Sequence, residues 1–324
     1  MVLRSAVLEA PVIDPSISLA GFLVGFVVGL TGMGGGALMT PLLVLVFGVE
    51  PLSAVSSDIV ASLIMKPVGA GVHWRRGTVN VPLVKWLVLG SVPSAFLGVV
   101  VLRHVVSGPS LQGYVKLALG IALLVVAAGL IIRPLLARAA AQAPVVVRPF
   151  PTVLIGIVGG LVVGITSVGS GSLMIIMLLM LYPGLRLSSL VGTDLAQAIP
   201  LVASAALGHM LFGQFQAGLT LSILVGSVPG VYLAARLSAR APDHVIRPAL
   251  VTVLTASSLK LLGVGTPLLV AVVVAVGSAA LAQSLRRRQR PGAVTAAPAA
   301  SAPSALPPVV PEPIPAVTFP EASP

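Results

Sequence analysis

Two short stretches decide the fold of this chain: GLTGMGGG at residues 29–36 and GITSVGSG at residues 164–171. Each is a Gly-rich interruption of an apolar run, and each is followed by a short polar group that ends in an aspartate, Asp58 or Asp194. The spacing from glycine stretch to aspartate is nearly the same in both copies. One unit used twice in a hydrophobic chain is typical of secondary transporters.

The repeat continues beyond the aspartates at a constant offset. A His-x-x-x-Gly motif follows each of them, at 73–77 and 209–213, and the tetrapeptide Gly-Ser-Val-Pro then recurs at 90–93 and 226–229. Several features held in register over such a length indicate duplication rather than chance.

The composition excludes an ordinary soluble domain. Only 8% of the residues are charged, against about 25% in soluble proteins, and the mean hydropathy is +1.10. The many long apolar stretches predict a polytopic helical protein whose partner is the lipid bilayer. The net charge of +11 lies mainly between apolar segments, where it sets topology, so we expect no nucleic acid partner. The chain has no cysteine, which excludes thiolate metal sites and thiol nucleophiles, and we expect no metal and no cofactor.

The sequence divides into five segments. They are an N-terminal lead (1–16), a first membrane repeat (17–133), a cytoplasmic linker (134–150), a second membrane repeat with one extra helix (151–284), and a basic, then Pro/Ala-rich disordered tail (285–324). Each repeat opens with a Gly-broken apolar stretch, for which we expect a helical hairpin. The sequence leaves open whether each hairpin is re-entrant or spans the membrane twice.

The basic residues predict the orientation. Arg286, Arg287 and Arg288 place the C-terminus in the cytoplasm. The first His-x-x-x-Gly motif reads HWRRG and the second reads HMLFG, so the basic pair is present in one repeat and missing from the other. We therefore predict an all-α membrane bundle of two inverted repeats, related by an axis in the membrane plane.

The Gly-rich breaks are the predicted anion-binding elements. A broken helix presents free backbone N–H groups and a partial positive charge, and glycine lets a ligand approach closely. Irregular backbone at membrane depth also requires burial in protein or a wet cavity. The predicted substrate-binding residues of the two breaks are Gly34, Gly35, Gly36, Gly169, Ser170 and Gly171. The alternative is close helix packing through small residues.

Asp58 and Asp194 are the predicted ion-coupling residues. They are the only acidic residues placed well inside apolar spans. An aspartate near the bilayer centre costs on the order of 2.5–3.5 kcal/mol on insertion scales, so a functional role is expected. We predict that they bind a proton or another cation. The alternative is that Ser57-Asp58 and Thr193-Asp194 are N-caps of helices.

Lys66 is the third predicted charge of the site. It lies two turns beyond Asp58 on the same face of the predicted span, and Val202 occupies its matched position. Substrate contact, ion pairing with an aspartate and snorkelling are all left open. The hydroxyls of Ser56, Ser57, Ser170 and Thr193 are expected to supplement the anion site. His73 and His209 fall on opposite membrane faces under inverted topology, so a shared metal is not expected.

These motifs resemble those of the sulfite exporter TauE/SafE family. The pattern G-x-x-x-G-x-x-G-x-G-G-G over 25–36, followed by Pro41-Leu42-Leu43, is similar to the first-repeat signature of that family. Val191-Gly192-Thr193-Asp194 with His209 and Gly213 is similar to its second-repeat signature. The likeness covers residues 17–283 and implies a duplicated all-α bundle. It further implies movement of sulfite, organosulfonates or related small oxyanions, driven by an ion gradient. Lys66 and the Ser-Val-Gly-Ser-Gly form of the second break depart from the family pattern.

We therefore expect a secondary transporter rather than an enzyme, in the cell inner (cytoplasmic) membrane, with a small anionic substrate. A homo-oligomer is left open. The alternatives are a membrane scaffold or assembly protein that docks a partner on its basic C-terminal segment, and an intramembrane aspartyl enzyme that uses the pair of aspartates.

Overall fold

The computed structural model describes residues 13–31, 35–75, 77–105, 110–139, 146–237 and 243–288. Over these ranges the chain forms eleven α-helices and no strand, which confirms the all-α prediction. The helices are α1 (Pro15–Thr31), α2 (Gly36–Leu45), α3 (Pro51–Arg75), α4 (Val81–Val105), α5 (Ser110–Ala139), α6 (Pro149–Thr166), α7 (Leu173–Leu181), α8 (Leu187–Phe212), α9 (Ala217–Leu237), α10 (Asp243–Leu261) and α11 (Thr266–Arg288).

One compact unit covers residues 1–284 and a second covers 285–324, of which the described part is the end of α11. The predicted site residue Gly34 and the predicted tail beyond residue 288 lie outside the described residues. Helix α5 continues to Ala139, past the repeat boundary expected at residue 133.

Six helices are long and apolar enough to cross a membrane, namely α3, α4, α5, α6, α8 and α9. Helices α3 and α4 have 25 residues each. At 1.5 Å per residue this is about 37 Å, more than a ~30 Å hydrocarbon core requires. The prediction of a multi-pass helical protein is confirmed.

The Gly-rich stretches break the chain into unequal pairs of helices, α1–α2 and α6–α7. The second helix of each pair has 10 or 9 residues, a rise of about 14–15 Å, which is half of the hydrocarbon core. Neither α2 nor α7 can therefore cross alone. At the α6–α7 pair the Tyr182 hydroxyl accepts a hydrogen bond from the Arg148 backbone N–H at 2.8 Å and lies 2.5 Å from the Thr152 hydroxyl. The two outer ends of this hairpin thus meet.

Prolines and polar caps set where several helices begin. Pro15 is the first residue of α1, and the Asp14 carboxylate accepts hydrogen bonds from the backbone N–H groups of the first turn. Pro51 opens α3, and α8 opens at Leu187. Asp58 and Asp194 therefore lie in helix interiors, and the N-cap alternative for them is wrong.

Helix α1 packs in parallel along α9, and α4 packs in parallel along α6. Glycines make both contacts close, because the helices touch through backbone atoms. A methyl group added at Gly25 would clash with the backbone of Ser227, and one added at Gly160 would clash with Ser91. Ser91 and Ser227 are the matched serines of the two Gly-Ser-Val-Pro tetrapeptides. The same contact is therefore made twice: α1 of the first repeat packs on α9 of the second, and α6 of the second repeat packs on α4 of the first.

Helices α3 and α8 are the matched helices that carry the aspartates, and they run antiparallel to each other. Near the start of α3, the Ser57 hydroxyl accepts a hydrogen bond from the backbone N–H of Gln216, beyond the end of α8, at 3.3 Å. Near the start of α8, the Thr193 hydroxyl accepts one from the backbone N–H of Asn80, beyond the end of α3, at 3.0 Å. The two bonds correspond, since Ser57 is matched to Thr193 and Asn80 is matched to Gln216 at the offset of the repeat.

The matched helices α5 and α10 also pack on each other. Arg247 of α10 donates to the carbonyl of Leu130 in α5, with its Nε at 3.0 Å. This carbonyl lacks the usual helical donor, because residue 134 is a proline without a backbone N–H. The arginine therefore satisfies a backbone acceptor that the α5 sequence leaves open.

Candidate functional site

Three charged side chains are buried between α3 and α8, beside the two Gly-rich breaks. Asp58 and Lys66 come from α3, and Asp194 comes from α8. Their exposed fractions are 1%, 8% and 0%. We name these three residues the charged cluster. Charges at such depth require partners, and the hydrogen bonds of each residue show how the cluster is held.

Asp58 is held by hydroxyl groups of two other elements. Its Oδ2 accepts hydrogen bonds from the Thr40 hydroxyl of α2 at 2.8 Å and from the Ser167 hydroxyl of the second break at 2.7 Å. Its Oδ1 is buried and has no hydrogen-bond partner in the part of the chain that the structure describes. One oxygen of this carboxylate thus accepts two hydrogen bonds, and the other accepts none from the described residues.

Asp194 is held differently, by an amide. Its Oδ1 accepts a hydrogen bond from Gln197 Nε2 at 3.0 Å, and Gln197 Oε1 accepts one from the Ser91 hydroxyl of α4 at 3.2 Å. The backbone N–H of Gly171 lies close enough to interact with Asp194. Its Oδ2, like Oδ1 of Asp58, is buried without a hydrogen-bond partner among the described residues.

Lys66 joins the cluster to the second break. Its ammonium donates a hydrogen bond to the Ser170 hydroxyl. It also interacts electrostatically with Asp194 and Asp58, without a direct hydrogen bond to either carboxylate among the bonds of the described chain. Because the side chain is buried and bonded to a buried serine, the snorkelling alternative is wrong.

The two Gly-rich breaks contact each other. A methyl group added at Gly36 would clash with the backbone carbonyl of Ser167, whereas one added at Gly35 would meet only the end of Met65, at 3.7 Å. In the second break, Gly169 and Gly171 have φ angles of 128° and 105°, and Ser167 has one of 61°. These values lie in the left-handed region, which Gly tolerates and other residues rarely adopt.

His209 links three elements around the second break. Its Nε2 lies 2.7 Å from the carbonyl oxygen of Gly164 in α6, and its Nδ1 lies 2.9 Å from the Ser56 hydroxyl of α3. A carbonyl only accepts, so Nε2 carries a proton, and Nδ1 of a neutral ring accepts from the serine. His73 instead lies 3.0 Å from the hydroxyl of Thr78, a few residues along the chain. His209 is thus a buried crosslink as well as a residue near a helix end.

The predicted site residues divide into two groups. Asp58, Lys66, Asp194 and Ser170 belong to the charged cluster and its hydrogen bonds, and the described residues of both breaks lie beside it. The Ser57 and Thr193 hydroxyls instead make the two matched contacts between helix ends. No group of three or more His, Cys, Asp or Glu side chains suited to a metal ion occurs within the described ranges.

Sequence reasoning missed the residues that orient the aspartates. Thr40, Ser91 and Ser167 are small hydroxyl residues in apolar helices or in a break, and such residues commonly bond only to their own helix. Many other serines and threonines are also buried in the described helices, so their residue type gave no signal. Which of them faces an aspartate depends on helix neighbours, which apolar periodicity does not specify.

The fold and the site define a class: a multi-pass helical membrane protein made of two related repeats around a buried charged cluster. The model of the family described as "Sulfite exporter TauE/SafE" matches residues 17–261. The chain belongs to this family, so the family expected from the motifs is confirmed.

Three relatives from Bacillus subtilis (strain 168) agree with this assignment. The chain is 40% identical over 253 residues to the "probable membrane transporter protein YjnA". The matched region covers 76% of this chain and 99% of that protein. The chain is 26% identical over 239 residues to the "probable membrane transporter protein YdhB", covering 72% of this chain and 94% of that protein. It is also 38% identical over 85 residues to the "probable membrane transporter protein YunE", covering 26% and 29% of the two chains. No solved structure matches this chain.

Proposed function

We propose that this protein is a secondary transporter that moves a small oxyanion, such as sulfite or an organosulfonate, across the cytoplasmic membrane under an ion gradient. The observation that carries the proposal is Lys66. It is the one buried Lys or Arg among the described residues, and its ammonium donates to Ser170 in the second break. A buried cation beside an irregular, Gly-rich backbone is suited to an anion.

The helix ends at the breaks support the same assignment. Helix α2 begins at Gly36 and α7 begins at Leu173, directly after the two interruptions. The first N–H groups of a helix have no intrahelical acceptor and carry the positive end of the helix dipole. The start of α7 lies three residues after Ser170, the partner of Lys66, so we propose that the positive end of this helix adds to the attraction of an oxyanion.

The antiparallel arrangement of α3 and α8 supports inverted repeats. Transporters of this kind bind substrate where the two repeats meet and expose the site alternately to each side by rocking. We propose that the antiparallel helices α3 and α8 end toward opposite faces of the membrane, as the matched contacts of Ser57 with Gln216 and of Thr193 with Asn80 suggest. The basic residues near 286–288 support a cytoplasmic C-terminus.

Asp58 and Asp194 are the proposed coupling groups. Each keeps one buried carboxylate oxygen without a partner in the described chain, where a proton or cation can bind. Among the described residues the hydrogen bonds of Asp58 go to hydroxyls and that of Asp194 goes to Gln197, and none joins the two carboxyl groups. In that enzyme chemistry two carboxyl groups share one proton directly. We therefore propose transport without catalysis.

The test is uptake of labelled sulfite by proteoliposomes that contain the purified full-length chain. We expect accumulation that follows an imposed proton gradient. The Asp194→Asn variant should lose this gradient-driven uptake while keeping its helical circular dichroism and its elution volume. Undiminished coupled uptake by this variant would refute the coupling assignment.

A truncated chain distinguishes transport from scaffolding. Removal of residues 286–324 deletes the basic C-terminal segment on which a docking partner would bind, while helices α1 to α10 remain complete. A transporter keeps its flux after this deletion. Loss of flux in a truncated protein that still reconstitutes would favour the scaffold alternative.

A further inference from the structure

The charges buried in the two repeats do not balance, and this imbalance constrains the substrate. Among the described residues the buried acidic and basic side chains are Asp58, Lys66, Asp194 and His209. His209 is satisfied as a neutral imidazole between the Gly164 carbonyl and the Ser56 hydroxyl. The cluster therefore contains one cation and two carboxyl groups.

Within the described ranges, the helices and breaks packed around the cluster add no further buried charge. The side chains that bond to the cluster, or to a partner of the cluster, are neutral donors and acceptors of α2, α4, the second break and α8: Thr40, Ser91, Ser167, Ser170 and Gln197. An uncompensated charge in a low-dielectric interior is strongly unfavourable. We infer that the empty cluster holds one proton, which makes its net charge zero.

The carboxylate oxygens without a hydrogen-bond partner are the positions at which the two aspartates would carry protons. Oδ1 of Asp58 and Oδ2 of Asp194 are buried and accept no hydrogen bond from the described chain. As carboxylates they would repel an incoming anion. Once protonated, each becomes an O–H donor that can bond to an oxygen of the substrate. A substrate anion bound at Lys66 is therefore compatible with two carboxylic acids and incompatible with two carboxylates.

Resting on the proposed function, we propose that the site carries a singly charged oxyanion together with one proton, without net movement of charge. The empty form has one proton and is neutral. The loaded form has Lys66, two protonated aspartates and one monoanion, and is also neutral. A dianion would leave one negative charge in excess even with both aspartates protonated. The substrate class is thus the monoanions, such as hydrogen sulfite or a sulfonate with no second acidic group.

Methanesulfonate and sulfate make a matched pair of probes, since both are tetrahedral and of similar size but carry one and two charges. Proteoliposomes of the full-length chain are offered each labelled anion under an inward proton gradient, with the membrane potential set by potassium and valinomycin. We expect methanesulfonate uptake to be at least about tenfold faster than sulfate uptake. It should be independent of the potential and accompanied by one proton per anion, read from an enclosed pH dye.

The outcomes separate this inference from the function on which it rests. Equal rates for the two anions, or methanesulfonate flux that changes with the potential, overturn the inference and leave anion transport standing. Uptake of neither anion, nor of sulfite, refutes the transporter assignment and the inference with it.

A double variant provides an independent readout. Asp58→Asn with Asp194→Asn keeps side chains of the same shape, whose amide oxygens still accept from Thr40, Ser167 and Gln197. With only Lys66 charged, anion flux should no longer carry protons and should become dependent on the potential. Proton-coupled flux that persists in a folded double variant would overturn the inference.

Discussion

The two repeats share a frame but differ in the chemistry they contribute to the centre. The contacts that hold the frame are duplicated, as the matched bonds of Ser57 and Thr193 show. At the centre the matched positions diverge: Lys66 corresponds to Val202, and Gln197 corresponds to Ala61. The first repeat contributes the cation, and the second contributes the amide that holds its own aspartate. The two repeats thus share their helix packing, whereas the buried polar side chains at the centre differ between them.

The largest expected effect comes from removing the buried lysine, which makes the matched positions 66 and 202 identical. Lys66→Val places in α3 the residue found at the matched position of α8. A hydrogen bond to a charged group is worth about 1.5–3 kcal/mol, so we expect anion affinity to fall roughly 10- to 100-fold. Isothermal titration of sulfite into purified protein measures this. Val202→Ala is the control at the same register of the other repeat and should bind normally. Unchanged binding by Lys66→Val would contradict the assignment of the lysine to the anion.

Two adjacent glycines of the first break test whether its backbone geometry is required. Gly36→Ala forces a methyl group against the Ser167 carbonyl, where overpacking costs about 1–3 kcal/mol. We expect weaker substrate binding and lower uptake. Gly35→Ala is the matched comparison, because Gly35 has a right-handed helical φ of −58° and a methyl group there would meet only the end of Met65, at an ordinary contact distance of 3.7 Å. Equal behaviour of the two variants in flux and thermal unfolding would show that contact between the breaks does not matter.

A matched pair of serines tests the support of Asp194. Ser91→Ala removes the hydroxyl that donates to Gln197, a neutral hydrogen bond worth about 1 kcal/mol, so we expect proton-coupled uptake to fall a few-fold. Ser227→Ala removes a buried hydroxyl that has no partner among the described residues and should change little. A larger effect at Ser227 than at Ser91 would contradict this account of how the aspartate is oriented.

The smallest expected effect concerns the two matched hydrogen bonds between α3 and α8, which Ser57 and Thr193 accept. Ser57→Ala and Thr193→Val each remove one hydroxyl that accepts a backbone N–H. We expect each to lower the free energy of unfolding by about 0.5–1.5 kcal/mol, and by similar amounts, because the two contacts correspond. Thermal unfolding in detergent provides the comparison. A marked difference between the two variants would show that the two ends of the bundle are not equivalent in stability.

Much of the architecture was predictable from the sequence, because duplication and apolar length report directly on helices. The apolar spans expected around Asp58 and Asp194 are helices α3 and α8. The N-cap alternative for the aspartates failed, although Pro51 was a readable signal that α3 begins earlier. The depth of the hairpins was not predictable, since an apolar run does not show where a short helix stops.

The cross-contacts of the site were beyond sequence reasoning for a physical reason. Thr40 and Ser167 bond to Asp58 from elements distant in the chain. Helical periodicity identifies the face of a helix on which a residue lies, but it does not identify the neighbour of that face. Lys66 was predictable as a special residue, because a charge in an apolar span demands an explanation. Its partner Ser170 was identified only by the fold.

The parallel glycine contacts of α1 with α9 have a consequence for biosynthesis. Helix α1 finds this packing partner only after residues 217–237 have been translated. Until then its glycine-lined face, with Gly21, Gly25 and Gly29, lacks these close contacts with the backbone of α9. The first half of the polypeptide therefore cannot mature ahead of the second. Two separately expressed halves would each be incomplete and would assemble only in each other's presence.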